Sequence, residues 1–177
     1  MKKIAVLVGA LSLTLVWMFF PRSTSRANKI VTIDGSENAQ AIPDRVAYSL
    51  ILRLLSSAKD DNERRHIRSY ISRMGFQNMD DVRILSTTAE NFRMKVADLD
   101  SRIAEIRKAE VNAKINRRSE IQRQLSELQM RMDAIVDEAI QSLSRSLSKP
   151  GHVQLQNFMN SQFKAKVKLQ INRTDSR

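Results

Sequence analysis

A chain of 177 residues with four glycines, three prolines and 5% aromatic residues is poor in the material of turns and strand faces, which argues against an all-β domain and for a helical one. It has no cysteine, so disulfide staples, thiolate nucleophiles and Cys-based metal sites are excluded together. The formal charge is +11; residues 1–27 hold four basic residues and no acid, leaving 26 basic against 19 acidic residues, a net +7, for the remainder. That balance suits an anionic partner without naming one.

Lys2 and Lys3 precede an uncharged run of 17 residues, Ile4 to Phe20. A basic start followed by an apolar run reads as an export signal. The run is longer than the usual signal-peptide core of ~7–15 residues and sits at the short limit, roughly 17–25, of a membrane-spanning helix. Trp17, Phe19 and Phe20 suit an interfacial belt, whereas Ser25-Arg26-Ala27 offers the small residues a signal peptidase reads. Residues 1–27 are therefore expected to be a signal peptide or an inner-membrane anchor, placing the domain in the periplasm or cell envelope. The two alternatives stay open.

Residues 28–42 read as a linker with an opening turn at Asp34-Gly35. Asp34, Ser36 and Asn38 alternate like the start of a calcium loop, but Ala39 stands where the loop needs glycine and Arg45 where it needs glutamate. A capped turn is the simpler reading, and no metal or other cofactor is expected.

The helical domain is expected over 43–171, with Pro43 as the first residue of its first helix. Val46, Ala47, Leu50, Ile51, Leu54 and Leu55 give that helix a broad apolar face. Asp60-Asp61-Asn62 supplies a cap and acids for a second helix, Ile67, Tyr70, Ile71 and Met74 its buried stripe, and Gly75 its stop. Arg64, Arg65, His66 and Arg68 crowd the outer face. The three arginines form a candidate anion- or partner-binding patch, and His66 has no second ligand at metal-binding spacing.

From Asn78 to Lys149 the apolar residues recur in three- and four-residue steps: Val82, Leu85, Ala89, Phe92, Val96, Leu99, Ile103, Ile106, then Ile121, Leu125, Leu128, Met132, Ile135, Ala139. The break between Ala113 and Ser119 allows two structures. One is a hairpin turning near Asn116, with Ser119-Glu120-Ile121-Gln122 as a capping box. The other is a continuous rod of about 70 residues, roughly 105 Å, which would form a coiled-coil homodimer. The hairpin is favoured because one molecule then buries both seams. The expected fold is all-α: a small helical bundle on a long antiparallel αα-hairpin, about 79–114 and 119–148, with two shorter lid helices and a short C-terminal helix.

Lys149-Pro150-Gly151 reads as the stop of the fourth helix. A short helix with Val153, Leu155, Phe158 and Met159 follows, and then Phe163 to Ile171 alternates as a strand would. A lone strand in a helical protein lacks a partner, and the segment Val31–Ile33 could pair with it. Lys164, Lys166 and Lys168 in this stretch are a second candidate partner-binding group, able to dock on an anionic membrane surface. Residues 172–177 are expected to be a disordered tail.

Ile33-Asp34-Gly35-Ser36, Ile42-Pro43-Asp44-Arg45-Val46-Ala47-Tyr48, the Arg64/Arg65 to Tyr70-Ile71 and Gly75-Phe76 segment, Ile135-Val136 with Leu143 and Leu147, and the Lys-rich end together resemble an uncharacterised family of exported bacterial helical proteins. The resemblance spans most of residues 33–169 and rests on caps, seam positions and the basic end. It implies export and the hairpin, and no activity. The small helical periplasmic chaperones of envelope stress share the hairpin and basic surface, but their Leu-Thr-x-x-Gln repeat is absent.

No Gly-rich phosphate loop, nucleophile elbow or paired metal histidines occur, and His66 and His152 are far apart. The expected function is therefore non-enzymatic: an exported scaffold or adaptor meeting an anionic envelope surface or protein partner. The alternatives are a periplasmic holdase-type chaperone using Leu50, Ile51, Leu54 and Leu55, and a membrane-tethered coiled-coil dimeriser. Nucleic acid is disfavoured, since charge alone points to it.

Overall fold

A computed structural model describes residues 29–57, 60–111 and 115–173. In chain order they form strand β1 (Lys29–Asp34), a 3-10 turn (Ala39–Ala41) and helices α1 (Asp44–Ser56), α2 (Asp61–Met74), α3 (Met79–Val111), α4 (Ile115–Ser146) and α5 (Lys149–Phe158). A π-turn (Met159–Phe163), a 3-10 turn (Lys164–Lys166) and strand β2 (Lys168–Arg173) complete them. The architecture is the expected all-α bundle with a two-stranded ribbon added.

The hairpin follows from the seam. Leu85, Ala89, Phe92, Val96, Leu99 and Ile103 of α3 are buried, as are Ile121, Leu128, Met132, Val136, Ala139 and Leu143 of α4. These are the three- and four-residue steps that bring one helix face against another. Each fully buried Leu or Phe contributes ~1.5–3 kcal/mol over its exposed state. Polar contacts show the direction: Asp81 meets Ser148, just past the end of α4, Lys95 meets Glu138 and Glu110 meets Gln122. Residue numbers rise on α3 as they fall on α4, so the helices are antiparallel within one chain, and the continuous rod is ruled out. At about 1.5 Å per residue, α3 is roughly 50 Å long. The fourth helix starts earlier than expected, at Ile115, so Ser119 lies within it rather than capping it. The reason is local: residues 115–119 include no Gly or Pro to break a helix.

The first helix is a core element rather than a lid. Its buried side is Ala47, Tyr48, Ile51 and Leu52, while Val46, Leu50, Leu54 and Leu55 are half-buried around it. Two arginines clamp α1 across the hairpin. Arg45 donates to both oxygens of Asp137 (2.9 and 2.6 Å) and approaches Asp133. Arg53 donates to both oxygens of Asp100 and stands over the Phe92 ring, 5.8 Å from its centroid. Pro43 is the residue before the helix rather than its first.

The second helix has the caps expected of it. Asp60 Oδ1 accepts from Glu63 N at 2.8 Å, and Gly75 takes the left-handed conformation (φ 72°) that glycine adopts without strain. Lys149-Pro150-Gly151 is a correction. The fourth helix ends at Ser146, and the Pro-Gly pair lies in the first turn of α5, capped by Ser148, whose Oγ accepts from Gly151 N at 3.1 Å. Proline fits there because a first-turn N–H has no helical partner to lose.

Strand β2 pairs antiparallel with β1, in the register Lys29↔Arg173, Val31↔Ile171, Ile33↔Leu169 and Asp34↔Lys168. Val31–Ile33 is thus the partner that the alternating C-terminal segment needed. The strand is shorter than the alternation, since Phe163 to Lys166 is helical turn. Within the expected linker, Lys29–Asp34 is strand and Ala39–Ala41 a 3-10 turn, and the C-terminal tail expected from 172 is strand through Arg173. Leu169 is buried and Ile33 packs against the core, which anchors the ribbon. At the turn, Ser36 N and Oγ donate to Asp34 Oδ1 (2.9 and 2.7 Å), and Asn38 Oδ1 accepts from Gln40 N and Ala41 N. Gly35 N donates to Val167 O at 2.9 Å; a Cβ at Gly35 would lie 1.8 Å from Lys164 O, so only glycine fits this approach.

Among the described residues no helix is long and apolar enough to cross a membrane. The Ile4–Phe20 run lies outside them.

Candidate functional site

The arginine group of α2 is presented outward. Ile67, Tyr70 and Ile71 are half-buried and Met74 is buried, leaving Arg64, Arg65, His66 and Arg68 exposed. Arg64 reaches Asp61 at 3.4 Å, an exposed pair that adds little in water. Neither Arg65 nor Arg68 forms a salt bridge with an acid among the described residues. The helix is held by an aromatic cluster in which Tyr70 meets Phe158 and Phe163 edge-on, with centroids 6.3 and 6.4 Å apart. Such contacts fix orientation as well as burying area.

The three lysines expected to act together do not. Lys164 is 3% exposed and ion-paired with Asp44 in the first turn of α1. Lys168 is exposed but holds Asp34 at 2.6 Å across the ribbon. Lys166 is exposed and sits over the Tyr70 ring, 5.6 Å from its centroid, so it joins the α2 face. The alternating reading fails because this segment turns at three residues per turn rather than two. In a 3-10 turn, residues i and i+3 share a side, and Lys164 is buried with Val167. Only Lys166 of the three adds to a free cationic surface.

Hydrogen bonds and charge set the electrostatics of the ribbon turn. The Lys168 ammonium, then the Ser36 hydroxyl and backbone N–H, hold the Asp34 carboxyl down at about 2. Lys168 is raised in return by the same contact. Elsewhere, burial and then Asp44 push the Tyr48 hydroxyl up, and the Asp137 carboxylate raises Arg45. Arg107 is lowered by desolvation on the distal hairpin.

A groove of about 230 Å³ runs between α3 and α4, lined by Thr88, Asn91, Phe92, Lys95, Ile135 and Glu138 among others. Its only charged groups are Lys95 and Glu138, already paired at 2.6 Å. Among the described residues no three of His, Cys, Asp and Glu gather as a metal site would require. His66 lies on α2 and His152 on α5. The apolar residues expected to receive clients are engaged: Ile51 is fully buried, and Leu50, Leu54 and Leu55 pack against the core.

One buried polar constellation escaped the sequence reading. Asp81, in the first turn of α3, is 2% exposed and accepts from Ser148 N (2.8 Å) and Ser148 Oγ (2.6 Å). Its position near a helix start is readable as dipole chemistry; its partner, 67 residues on, is not. Compared with protein-family models, with curated proteins and with solved structures, the chain matches none.

Proposed function

We propose that this protein is an exported scaffold or adaptor of a bacterial envelope, tethered by its N-terminal apolar run, that acts by binding rather than catalysis. The carrying observation is the α2 face. Arg65 and Arg68 are exposed without an acidic partner among the described residues, on a helix locked in place by Tyr70 and joined there by Lys166. Guanidinium groups presented together on one packed helix suit bidentate contact with carboxylate or phosphate. Lys2, Lys3 and Ile4–Phe20 support the export and the tether.

Two experiments test this. Residues 1–40 fused to a reporter active only outside the cytoplasm should yield activity; a silent, stably expressed fusion refutes export. Full-length protein carrying Arg64→Gln, Arg65→Gln and Arg68→Gln should bind a polyanion such as polyglutamate about tenfold more weakly at low salt, at ~0.5 kcal/mol per exposed charge. The salt dependence should flatten as well. Equal affinity and slope would remove α2 from the function.

A further inference from the structure

On the long hairpin, Arg83, Arg93, Lys95, Arg102 and Arg123 each hold an acid. Helix α2 differs. Its exposed residues set Arg64, Arg65, Arg68 and Arg73 against one acid, Asp61, and none of them is apolar. Arg65, Arg68 and Arg73 have no acidic partner among the described residues. Lys166 stands over the Tyr70 ring, and Arg73, three residues on from Tyr70, shares that side of the helix. The cations thus extend along roughly 14 Å of helix from Arg64 to Arg73, at about 1.5 Å per residue. Tyr70 itself is held half-buried by Phe158 and Phe163, so it is not free to act as an anchor.

We propose that the exposed side of α2, extended by Arg73 and Lys166, docks on an anionic phospholipid bilayer. The proposal rests on the reading of α2 as an anion-binding face and names its partner. A stable protein interface is built around apolar or aromatic anchors buried at its centre. This face offers only charge and small polar groups, so its attraction is electrostatic. The side of a helix is also convex, which suits a plane of headgroups better than a small ion that needs enclosure. Charge then sets the strength, because each basic residue near an anionic leaflet favours the bound state about fivefold. Chain length permits the contact. From Phe20 to Lys29 is nine residues, at most about 30 Å fully extended. Strand β1 adds roughly 17 Å, and Gly35, which follows it, is pressed onto the backbone of Lys164 beside the face. The contact is peripheral: no apolar side chain of α2 is exposed to enter the hydrocarbon.

The absence of cysteine makes the test direct. A single cysteine is placed in the full chain by Ser72→Cys on the exposed side of α2, or in a second protein by Ser119→Cys, and labelled with a fluorophore. Ser119 stands roughly 40 Å along α4 from Ser146, at about 1.5 Å per residue. Each protein is reconstituted into vesicles of phosphatidylcholine alone or mixed with phosphatidylglycerol, with a quencher on the headgroups. The label at 72 should be quenched strongly only with phosphatidylglycerol and released by raised salt. Lys166→Gln alone should weaken that association about fivefold. Arg65→Gln with Arg68→Gln and Arg73→Gln should weaken it at least tenfold, while the label at 119 stays bright throughout. Equal quenching at 72 and 119, or quenching that the arginine variant leaves unchanged, overturns the docking surface. Polarisation of the same label with added polyglutamate separates the two readings. A response to polyglutamate without one to phosphatidylglycerol overturns the bilayer and leaves α2 as an anion-binding face. A response to neither overturns both.

Discussion

Replacing Gly151 by alanine should destabilise the protein strongly, and a second substitution at Asp81 should reverse the sign of its effect. A Cβ at Gly151 would stand 2.4 Å from Asp81 Oδ2 and 2.6 Å from its carboxyl carbon. That carboxylate cannot retreat easily, since it accepts two hydrogen bonds from Ser148 in a site 2% exposed. Overpacking of this kind costs about 1–3 kcal/mol. Asp81→Ala alone removes two bonds to a charged acceptor, roughly 1.5–3 kcal/mol each, and strands the Ser148 N–H. Its cost should be about 3–5 kcal/mol, a large part of a typical total of ~5–15 kcal/mol. With the carboxylate gone, the three atoms nearest to a Cβ at 151 are gone with it, and Gly151→Ala should gain up to the ~0.5–1 kcal/mol by which alanine exceeds glycine in a helix. The double variant should therefore be more stable than Asp81→Ala. Urea denaturation followed by far-UV circular dichroism, at constant m-value, measures all three. Gly151→Ala costing the same in both backgrounds would refute the claim that Asp81 is what excludes a side chain at 151.

Three further outcomes follow from the geometry. Lys164→Met should be neutral within about 1 kcal/mol or stabilising, since it removes a buried ammonium and leaves only the exposed Asp44; Asp44→Ala strands that ammonium and should cost about 2 kcal/mol or more by the same assay. The Asp34 carboxyl should titrate near 2 in a carboxyl-detected NMR experiment, and Lys168→Gln should raise it. Its folded value lies below its unfolded one, so its contribution to stability is present above about pH 4 and lost as the pH falls toward 2. Gly35→Ala should detach the ribbon from Lys164 at about 1–3 kcal/mol, read as faster amide exchange across Lys168–Arg173 with the hairpin amides unchanged.

What could be read from residues in order was whatever local chemistry decides. The stripe from Leu85 to Ile103 declares a helix face, Asp60 and Gly75 declare the two ends of a helix, and Asp34 with Ser36 and Asn38 declares a capped turn. Each of these depends on neighbours within about four positions, whose spacing is visible in the string of letters. The hairpin went further, because a break at 113–119 and two matching seams leave a single chain one efficient way to bury both. The α2 arginines were legible for the same reason: a helical period sorts a face from its opposite.

The three lysines were not legible in this way. Whether Lys164, Lys166 and Lys168 point together depends on the local period, and Phe158, Phe163 and Tyr70 impose a turn where the alternation suggested a strand. Asp81 looked like one more acid at a helix start until packing brought Ser148 and Gly151 against it. The pairing of Lys29 with Arg173 joins residues from opposite ends of the chain, and only the completed bundle brings those strands within hydrogen-bonding distance. Sequence alone determined the helical character, the caps at Asp60 and Gly75 and the sign of the charge, because short-range sterics and hydrogen bonds act before any tertiary contact exists. The folded structure decided which cations are buried, paired or free, because burial belongs to the neighbours that a distant part of the chain supplies.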